Sequence, residues 1–273
     1  MKIHFVFTLL SLLVPLNLSA EPNSEYISEL SKKLPASRLD VKISDTELAS
    51  LPAQIQRYLK NCGVLSGNKA GNARIVYDVE IRGSAKQQWM QIEVEQYNIF
   101  TESQRFLYTD EKELPKGLND ASLLQTFGVV PSGEPDGSCG KFDKSGLVTQ
   151  LNTMCLMVPV TLVDKRIKWE VKSKDCVKAV FTADGVSVSA ELYFDDKGML
   201  SNFITEDRLL RTATGEQIKY KWSTPVKGYE LVANYRVVSK SEAIWHLPGG
   251  EFCCGKFELK DIEYNLETYK KEE

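Results

Sequence analysis

The alternation of apolar and polar residues is most regular between Val186 and Phe194, where every second residue is apolar and the others are Ser, Ser, Glu and Tyr. A period of two predicts a strand with one buried face. Asp195-Asp196-Lys197-Gly198 has the composition of a turn, and Met199 to Glu206 alternates again. This stretch therefore predicts a β-hairpin whose apolar face requires a cover from the rest of the chain.

Three segments have the spacing of helices. The first is Glu21–Leu34, which Pro35 is expected to end. The second starts at the capping-box pattern Ser44-Asp45-Thr46-Glu47 and closes near Asn61-Cys62-Gly63, with Pro52 either kinking it or opening a new helix. The third is Phe142–Val158, which has one apolar face.

Most of the remaining segments alternate like strands. They are Arg74–Arg82, Trp89–Gln96, Arg105–Thr109, Leu123–Val130, Ile167–Val171, Cys176–Thr182, Gln217–Ser223, Tyr229–Val238, Ser241–Leu247 and Lys256–Tyr264. The irregular stretch Pro131–Gly140 could divide two domains, but neither half has enough helix to cover itself. We therefore predict one α+β domain over residues 21–273, a large curved antiparallel sheet covered by about three helices.

The first twenty residues have the pattern of a secretory signal. Lys2 is followed by an apolar run from Phe5 to Leu16, and Ala20 precedes a polar segment. An uncleaved membrane anchor is the alternative, but about a dozen apolar residues reach only about 18 Å as a helix, short of the roughly 30 Å of a bilayer core. The prediction is signal cleavage after Ala20 and a periplasmic or secreted protein without a transmembrane segment in the mature chain.

Charge and cysteine content narrow the function further. The chain has 34 basic and 37 acidic residues, a balance that argues against nucleic acid as a partner. Its six cysteines are disulfide candidates in an oxidising compartment, with fifteen possible full pairings and one to three bonds expected. They are Cys62, Cys139, Cys155, Cys176, Cys253 and Cys254. Adjacent strand residues point to opposite faces, so Cys253 and Cys254 are expected in different environments, with a vicinal disulfide or metal site as the alternative.

No motif for catalysis or cofactor binding is complete. His246 is the only histidine outside the predicted signal, which excludes sites built from two or three imidazoles. No phosphate-binding loop, dinucleotide fingerprint or nucleophile elbow is present. We therefore assign no catalytic residue, metal or cofactor. A histidine hydrogen-bonded near the end of a strand is favoured over a general base.

The aromatic residues are more informative. Trp89, Trp169, Trp222 and Trp245 all fall in predicted strands, where they either fill the core or line a concave surface for an apolar ligand. The residues that we assign to such a ligand site are Tyr58, Trp89, Arg208, Trp222, Trp245 and His246.

Several segments, in order, resemble a bacterial envelope-associated family of unknown function with an L-P-x-x-V-Q-R-Y-L…W-H-L-P-x-G-x-F pattern. They include Leu51–Leu59, Ile167–Glu170, Phe194–Gly198, Asp207-Arg208, Trp222 and Ala243–Phe252. The sequence departs from the pattern at Asn234, where a turn glycine is usual, and at Cys253-Cys254. The order of elements also resembles the lipoprotein-carrier (LolA/LolB) fold, which implies an incomplete barrel. The resemblance implies no activity.

These observations favour non-enzymatic binding of a lipid or other apolar ligand. The alternatives are a module that binds another envelope protein through a sheet face or edge, and a hydrolase that uses His246 with a serine or an acidic partner.

Overall fold

The computed structural model describes residues 24–108, 144–211, 217–232 and 234–270. The predicted signal, the predicted strand Leu123–Val130, the loop Pro131–Gly140 and Cys139 lie outside these ranges. The helices are α1 (Ser24–Ser37), α2 (Asp45–Ala49), α3 (Ala53–Asn61) and α4 (Lys144–Leu156), with short 3-10 turns at Val64–Ser66 and Pro159–Val163. No helix in these ranges combines the length and apolar composition that crossing a membrane requires.

The strands dominate the fold, as predicted. They are β1 (Asn72–Ile81), β2 (Met90–Ile99), β3 (Gln104–Tyr108), β4 (Ile167–Ser173), β5 (Cys176–Ala183), β6 (Val186–Phe194), β7 (Leu200–Thr205), β8 (Leu209–Arg211), β9 (Gln217–Lys219), β10 (Lys221–Ser223), β11 (Val226–Val232), β12 (Tyr235–Leu247) and β13 (Gly250–Tyr264).

Eleven strands form one antiparallel sheet in the order β3-β2-β1-β13-β12-β10-β7-β6-β5-β4, and β11 pairs with β12 beside this path. Strands β8 and β9 pair separately. The sheet is not closed into a barrel, which confirms the α+β fold class and the open antiparallel sheet expected from the sequence.

The inner face of the sheet is the side that carries Val79, Leu192, Phe203 and Trp245. It packs against α3, α4 and the 3-10 turn at Pro159–Val163 in the main hydrophobic core. The Tyr58 hydroxyl of α3 donates to the Cys155 carbonyl of α4 at 2.8 Å and joins the two covering helices.

The outer face, on the other side, has a separate and smaller cover. Helix α1 buries Tyr26, Leu30 and Leu34 against Tyr97 and Phe106 of β2 and β3. The Tyr26 and Phe106 rings meet edge to face at 5.6 Å. The sequence predicted an amphipathic helix here, but its apolar stripe carries no information on which sheet face it covers.

The hairpin around which the sequence is organised forms as predicted, since β6 and β7 pair directly. The Asp195 carboxylate accepts from the backbone N–H groups of Lys197 (2.9 Å) and Met199 (2.8 Å), and Gly198 takes a φ of 81°. A left-handed residue is needed there, and glycine adopts that conformation without steric cost.

Three predicted boundaries are wrong, at Pro35, within Tyr229–Val238 and within Gln217–Ser223, which is two strands, β9 and β10, in different sheets. Pro35 lies inside the last turn of α1, which continues two residues further to Ser37. Of the two alternatives for Pro52, the structure shows the second, since Pro52 opens a new helix, α3, and the capping box of Ser44 starts the five-residue α2 as expected. The predicted strand Tyr229–Val238 is two strands, β11 and β12, joined through Asn234, whose φ is 70°. Asparagine tolerates this left-handed conformation, so it replaces the turn glycine.

Candidate functional site

A cavity of about 80 Å³ lies on the inner face between α4 and the strands β1, β10, β12 and β13, beside the segment that follows β7. We call it the inner cavity. It is lined by Tyr77, Thr149, Asn152, Leu156, Met157, Arg208, Trp222, Thr224, Ser241, Ala243, Trp245, Cys254 and Phe257. It combines an apolar wall with a buried cation, an amide and several hydroxyl groups.

The inner cavity follows from the sizes of the inward-facing residues. Ser241, Ala243 and Trp245 alternate along β12, and Cys254 of β13 donates its thiol to the Ala243 carbonyl at 3.4 Å. Small residues in the middle of the sheet leave room between the aromatic side chains on either side. Burial raises the pKa of Cys254 to about 12, so its thiol stays neutral.

Arg208 is placed by the end of β7. The Asp207 carboxylate accepts from the Ser189 N–H at 2.8 Å and from the Ser189 hydroxyl at 3.1 Å. The Thr205 hydroxyl accepts from the Asp207 N–H at 3.0 Å and donates to the Ser189 carbonyl at 2.6 Å. These bonds fasten the chain to β6 just before Arg208.

The Arg208 guanidinium is held between a helix and an aromatic ring. It donates to the Thr149 hydroxyl of α4 at 2.7 Å and lies 4.6 Å from the centre of the Trp222 ring. The Trp222 and Trp245 rings are 6.5 Å apart. Arg208 is only 6% exposed, a burial that it shares with Arg74 and Arg105 elsewhere in the sheet.

The structure brings three of the six predicted ligand residues to this cavity, namely Arg208, Trp222 and Trp245. Tyr58 is fully buried between α3 and α4 and is not among the lining residues. Trp89 immediately precedes β2 and is half-buried, with the Arg82 guanidinium and the Lys256 ammonium each 4.2 Å from its ring centre. The role of each of these residues in binding stays a prediction.

His246 lies on the outer face, because it follows the inward-facing Trp245. Its Nε2 is 2.8 Å from the Ser223 hydroxyl, and its Nδ1 is 3.1 Å from a Glu251 carboxylate oxygen. Strand pairing sets this arrangement, since β12 places His246 beside Glu251 of β13 and next to β10. The sequence predicted a hydrogen-bonded histidine near a strand end, but not its two partners.

Several lining residues escaped the sequence analysis. Thr149 and Asn152 are three positions apart on α4, and the Asn152 amide donates to the Thr224 hydroxyl at 2.7 Å. Their spacing places them on one side of the helix, but α4 also carries Lys144, Ser145, Gln150 and Thr153, so the pair did not stand out. Ser241 gave none, because a serine in a strand is equally common on a solvated face.

The five described cysteines are free thiols, so the structure shows no disulfide among Cys62, Cys155, Cys176, Cys253 and Cys254. Cys254 points inward, whereas the half-buried Cys253 donates to the Gly255 carbonyl at 3.5 Å. Among the described residues, no three His, Cys, Asp or Glu side chains are grouped as metal ligands would be.

Similarity to known proteins is seen in solved structures and in one family. No curated protein sequence matches the chain. Among solved structures, a LolA superfamily protein from Nitrosomonas europaea is similar with a TM-score of 0.39 and 6% identity, covering 78% of this chain and 92% of its own. A DUF1329 family protein from Desulfovibrio piger has a TM-score of 0.33 and 9% identity, with 80% and 94% covered.

The sequence predicted membership of a family of unknown function, and the family comparison confirms this. A family model matches residues 41–257. This range includes the strands that build the inner cavity as well as helices α2, α3 and α4. The chain therefore belongs to the family of unknown function DUF6544.

Proposed function

We propose that this protein is exported and binds a lipid or other apolar ligand at the inner cavity without chemically transforming it. The observation that carries the proposal is the meeting of Trp222, Trp245 and Arg208 beneath α4. A concave, mainly apolar site with a few placed polar groups is the usual form of a small-molecule site. The signal-like N-terminus supports export.

The size of the inner cavity sets a condition on the proposal. Its volume of about 80 Å³ is well below the roughly 300–1,000 Å³ of typical ligand pockets. It holds one end of a ligand, and a longer chain requires α4 to move. On the cavity side, α4 is tied to the strands by the Thr149–Arg208 and Asn152–Thr224 hydrogen bonds. The apolar face of α4 is buried in the main core, so any opening has to keep that face packed.

The test uses the four tryptophans as reporters of position. A bromine-labelled decanol quenches the fluorescence of the tryptophans that it touches. We expect saturable quenching in the wild type and in a Trp89→Phe, Trp169→Phe variant, which keeps both cavity tryptophans. The Trp222→Phe, Trp245→Phe variant should lose it. If the Trp89→Phe, Trp169→Phe variant lost the quenching instead, or if the wild type showed none, the inner cavity would be rejected as the binding site.

A second candidate function rests on the outer-face group Ser223, His246 and Glu251. A serine hydroxyl within hydrogen-bond reach of an imidazole, itself held by a carboxylate, is the arrangement of a serine nucleophile with its general base. Attack of the Ser223 Oγ on an ester carbonyl would pass its proton to His246 and then to the leaving alcohol. Water would release the acid from the acyl-serine.

Access counts against this second function, because Ser223 is only 2% exposed whereas Glu251 is open to solvent. A fluorophosphonate probe followed by peptide mapping tests it directly. An adduct on Ser223 that depends on His246, retained in a Ser187→Ala control, would support hydrolysis. A protein that stays unlabelled at Ser223 has no esterase of this kind.

A further inference from the structure

We propose that β4, at one edge of the sheet, pairs with β4 of a second copy of this chain and joins two molecules into a symmetric dimer. The two strands run antiparallel and cross at Trp169. This inference concerns an interaction surface and does not depend on the proposed ligand, because no residue of β4 lines the inner cavity.

The first observation is that β4 has a neighbouring strand on one side only. Among the described residues it pairs with β5 alone and ends the sheet. At the other end, β3 has three of its five residues buried, and α1 packs against its Phe106. Five of the seven residues of β4 are exposed, including Val171 at 57%. An exposed edge strand presents backbone groups that can accept a further strand.

The second observation is the direction of the backbone groups in β4. The Thr182 N–H, at the end of β5, donates to the Arg166 carbonyl at 3.2 Å. Bonded and non-bonded pairs alternate along an antiparallel ladder, so every second residue after Arg166 bonds to β5. The N–H and C=O groups of Trp169 and Val171 alternate with these and point away from the sheet. They are therefore placed to bond to another strand.

The third observation is that β4 is complementary to itself when two copies cross at Trp169. Lys168 of each copy then lies opposite Glu170 of the other, and Ile167 lies opposite Val171. Ile167, Trp169 and Val171 form one apolar row, because their partners in β5 are buried on the inner face. Opposite charges and apolar side chains that face each other across two strands stabilise antiparallel pairing.

The neighbouring registers lack this match. Crossing at Glu170 or at Lys168 would place that residue opposite an identical charge. Crossing at Val171 would place Trp169 opposite Ser173, where the pairing of β4 with β5 is already irregular. A shift that puts inner-facing residues opposite outer-facing ones would mix the two faces of the sheet. Charge and apolar character therefore select the crossing at Trp169.

The dimer built in this way is closed. A two-fold axis at Trp169 uses the same strand of both copies, so this surface accepts one partner and no third molecule. The axis is perpendicular to the sheet, and the inner faces of both molecules lie on the same side of one continuous sheet.

Sedimentation velocity of the wild type, between about 1 and 300 µM, tests the association, since a single strand pair is a small interface. We expect a reversible equilibrium between monomer and dimer. Hydrogen exchange at the two ends of this range locates the interface, and the N–H groups of Trp169 and Val171 should gain protection in the dimer. A protein that stays monomeric overturns the proposal. A dimer that leaves these two groups unprotected overturns β4 as its interface.

Charge variants test the register. Lys168→Glu and Glu170→Lys each replace two ion pairs by two like-charge contacts, and each should weaken the dimer about 10-fold or more. The double variant, and an equal mixture of the two single variants, have opposite charges at both positions again and should recover the dimer. Lys32→Glu, on the exposed side of α1, makes the same change in net charge and should have no effect. Failure of both the double variant and the mixture to dimerise would overturn the crossing at Trp169.

A backbone variant tests the pairing itself. Val171→Pro removes an N–H that points away from β5, a position where an edge strand tolerates proline. It should abolish the dimer, whereas Val171→Thr, which keeps the N–H, should still associate. Equal association of the two variants would contradict pairing through β4. If a variant fails to fold, hydrogen exchange of the wild type decides the question alone.

Discussion

The two faces of the sheet are formed by the same strands but carry different kinds of side chain. On the inner face, apolar side chains pack against α3 and α4, and Arg208 is a buried cation in the wall of the cavity. On the open part of the outer face, lysines and acidic residues alternate across β2, β1, β13, β12 and β11. Its ion pairs include Lys240–Glu258 and Lys256–Glu80, both at 2.7 Å, and Lys227–Glu242 at 3.0 Å.

The difference between the two faces indicates which of them carries the functional candidate. The outer-face charges are half-exposed and mutually paired, so they keep a wide strand surface soluble and discourage edge pairing with other chains. The inner face departs from its own rule where polar groups surround Arg208, and again beside β3, where Arg105, Gln96 and Asn98 are buried. A site that departs from the pattern of its surroundings is the stronger functional candidate.

The largest expected difference in unfolding free energy is between alanine variants of two tryptophans, Trp245 and Trp89. Trp245→Ala removes a side chain that is 1% exposed and should lower the free energy of unfolding by about 3–5 kcal/mol. Trp89→Ala removes a half-buried ring that contacts Arg82 and Lys256, and should cost about 1 kcal/mol. Urea unfolding measures both. Equal losses would mean that the hairpin before β2 is as important to the fold as the inner core.

A second contrast lies within the outer face, where α1 covers one part. Arg74 and Glu95 form an ion pair there whose side chains are 7% and 6% exposed. Glu95→Gln leaves a buried guanidinium with less compensation and should cost about 3 kcal/mol. Glu258→Gln, which breaks the exposed pair with Lys240, should cost less than about 1 kcal/mol.

The response to salt distinguishes the two ion pairs, whatever the size of each stability effect. In 1 M NaCl the small effect of Glu258→Gln should vanish, because exposed charges are screened, whereas that of Glu95→Gln should persist. If both effects disappeared, the cover provided by α1 would not exclude solvent from Arg74 and Glu95.

The local pattern of the sequence predicted the strands better than their arrangement. The β6–β7 hairpin was predictable because alternation and turn chemistry agree over adjacent residues. Arg208 meets Thr149 only after β7 and α4 pack together, and no local pattern records that. The neighbours of His246 depend on the register of β10 and β13 against β12. Register was not specified by the pattern, because a shift of two residues preserves every face.

The smallest expected effect on stability concerns Glu47, in the first turn of α2. The Lys69 ammonium, 2.5 Å away, and the Ser44 N–H hold the pKa of Glu47 at about 2, below its ordinary 4.5. A lowered folded-state pKa gives stability that is present above pH 4.5 and is lost as the pH falls towards 2. Because water reaches this pair, we expect less than about 1 kcal/mol.

Glu47→Gln isolates this contribution. The difference in unfolding free energy between wild type and variant should be full at pH 6 and about half or less at pH 3, since Glu47 is by then protonated in the unfolded chain. Glu206→Gln, at an exposed strand end, serves as the control for general acid effects. A difference that stays constant from pH 6 to pH 3 would show that Glu47 acts through its helix-capping geometry rather than its charge. The start of α2 would then be stabilised by geometry rather than by charge, as the apolar core of the inner face is.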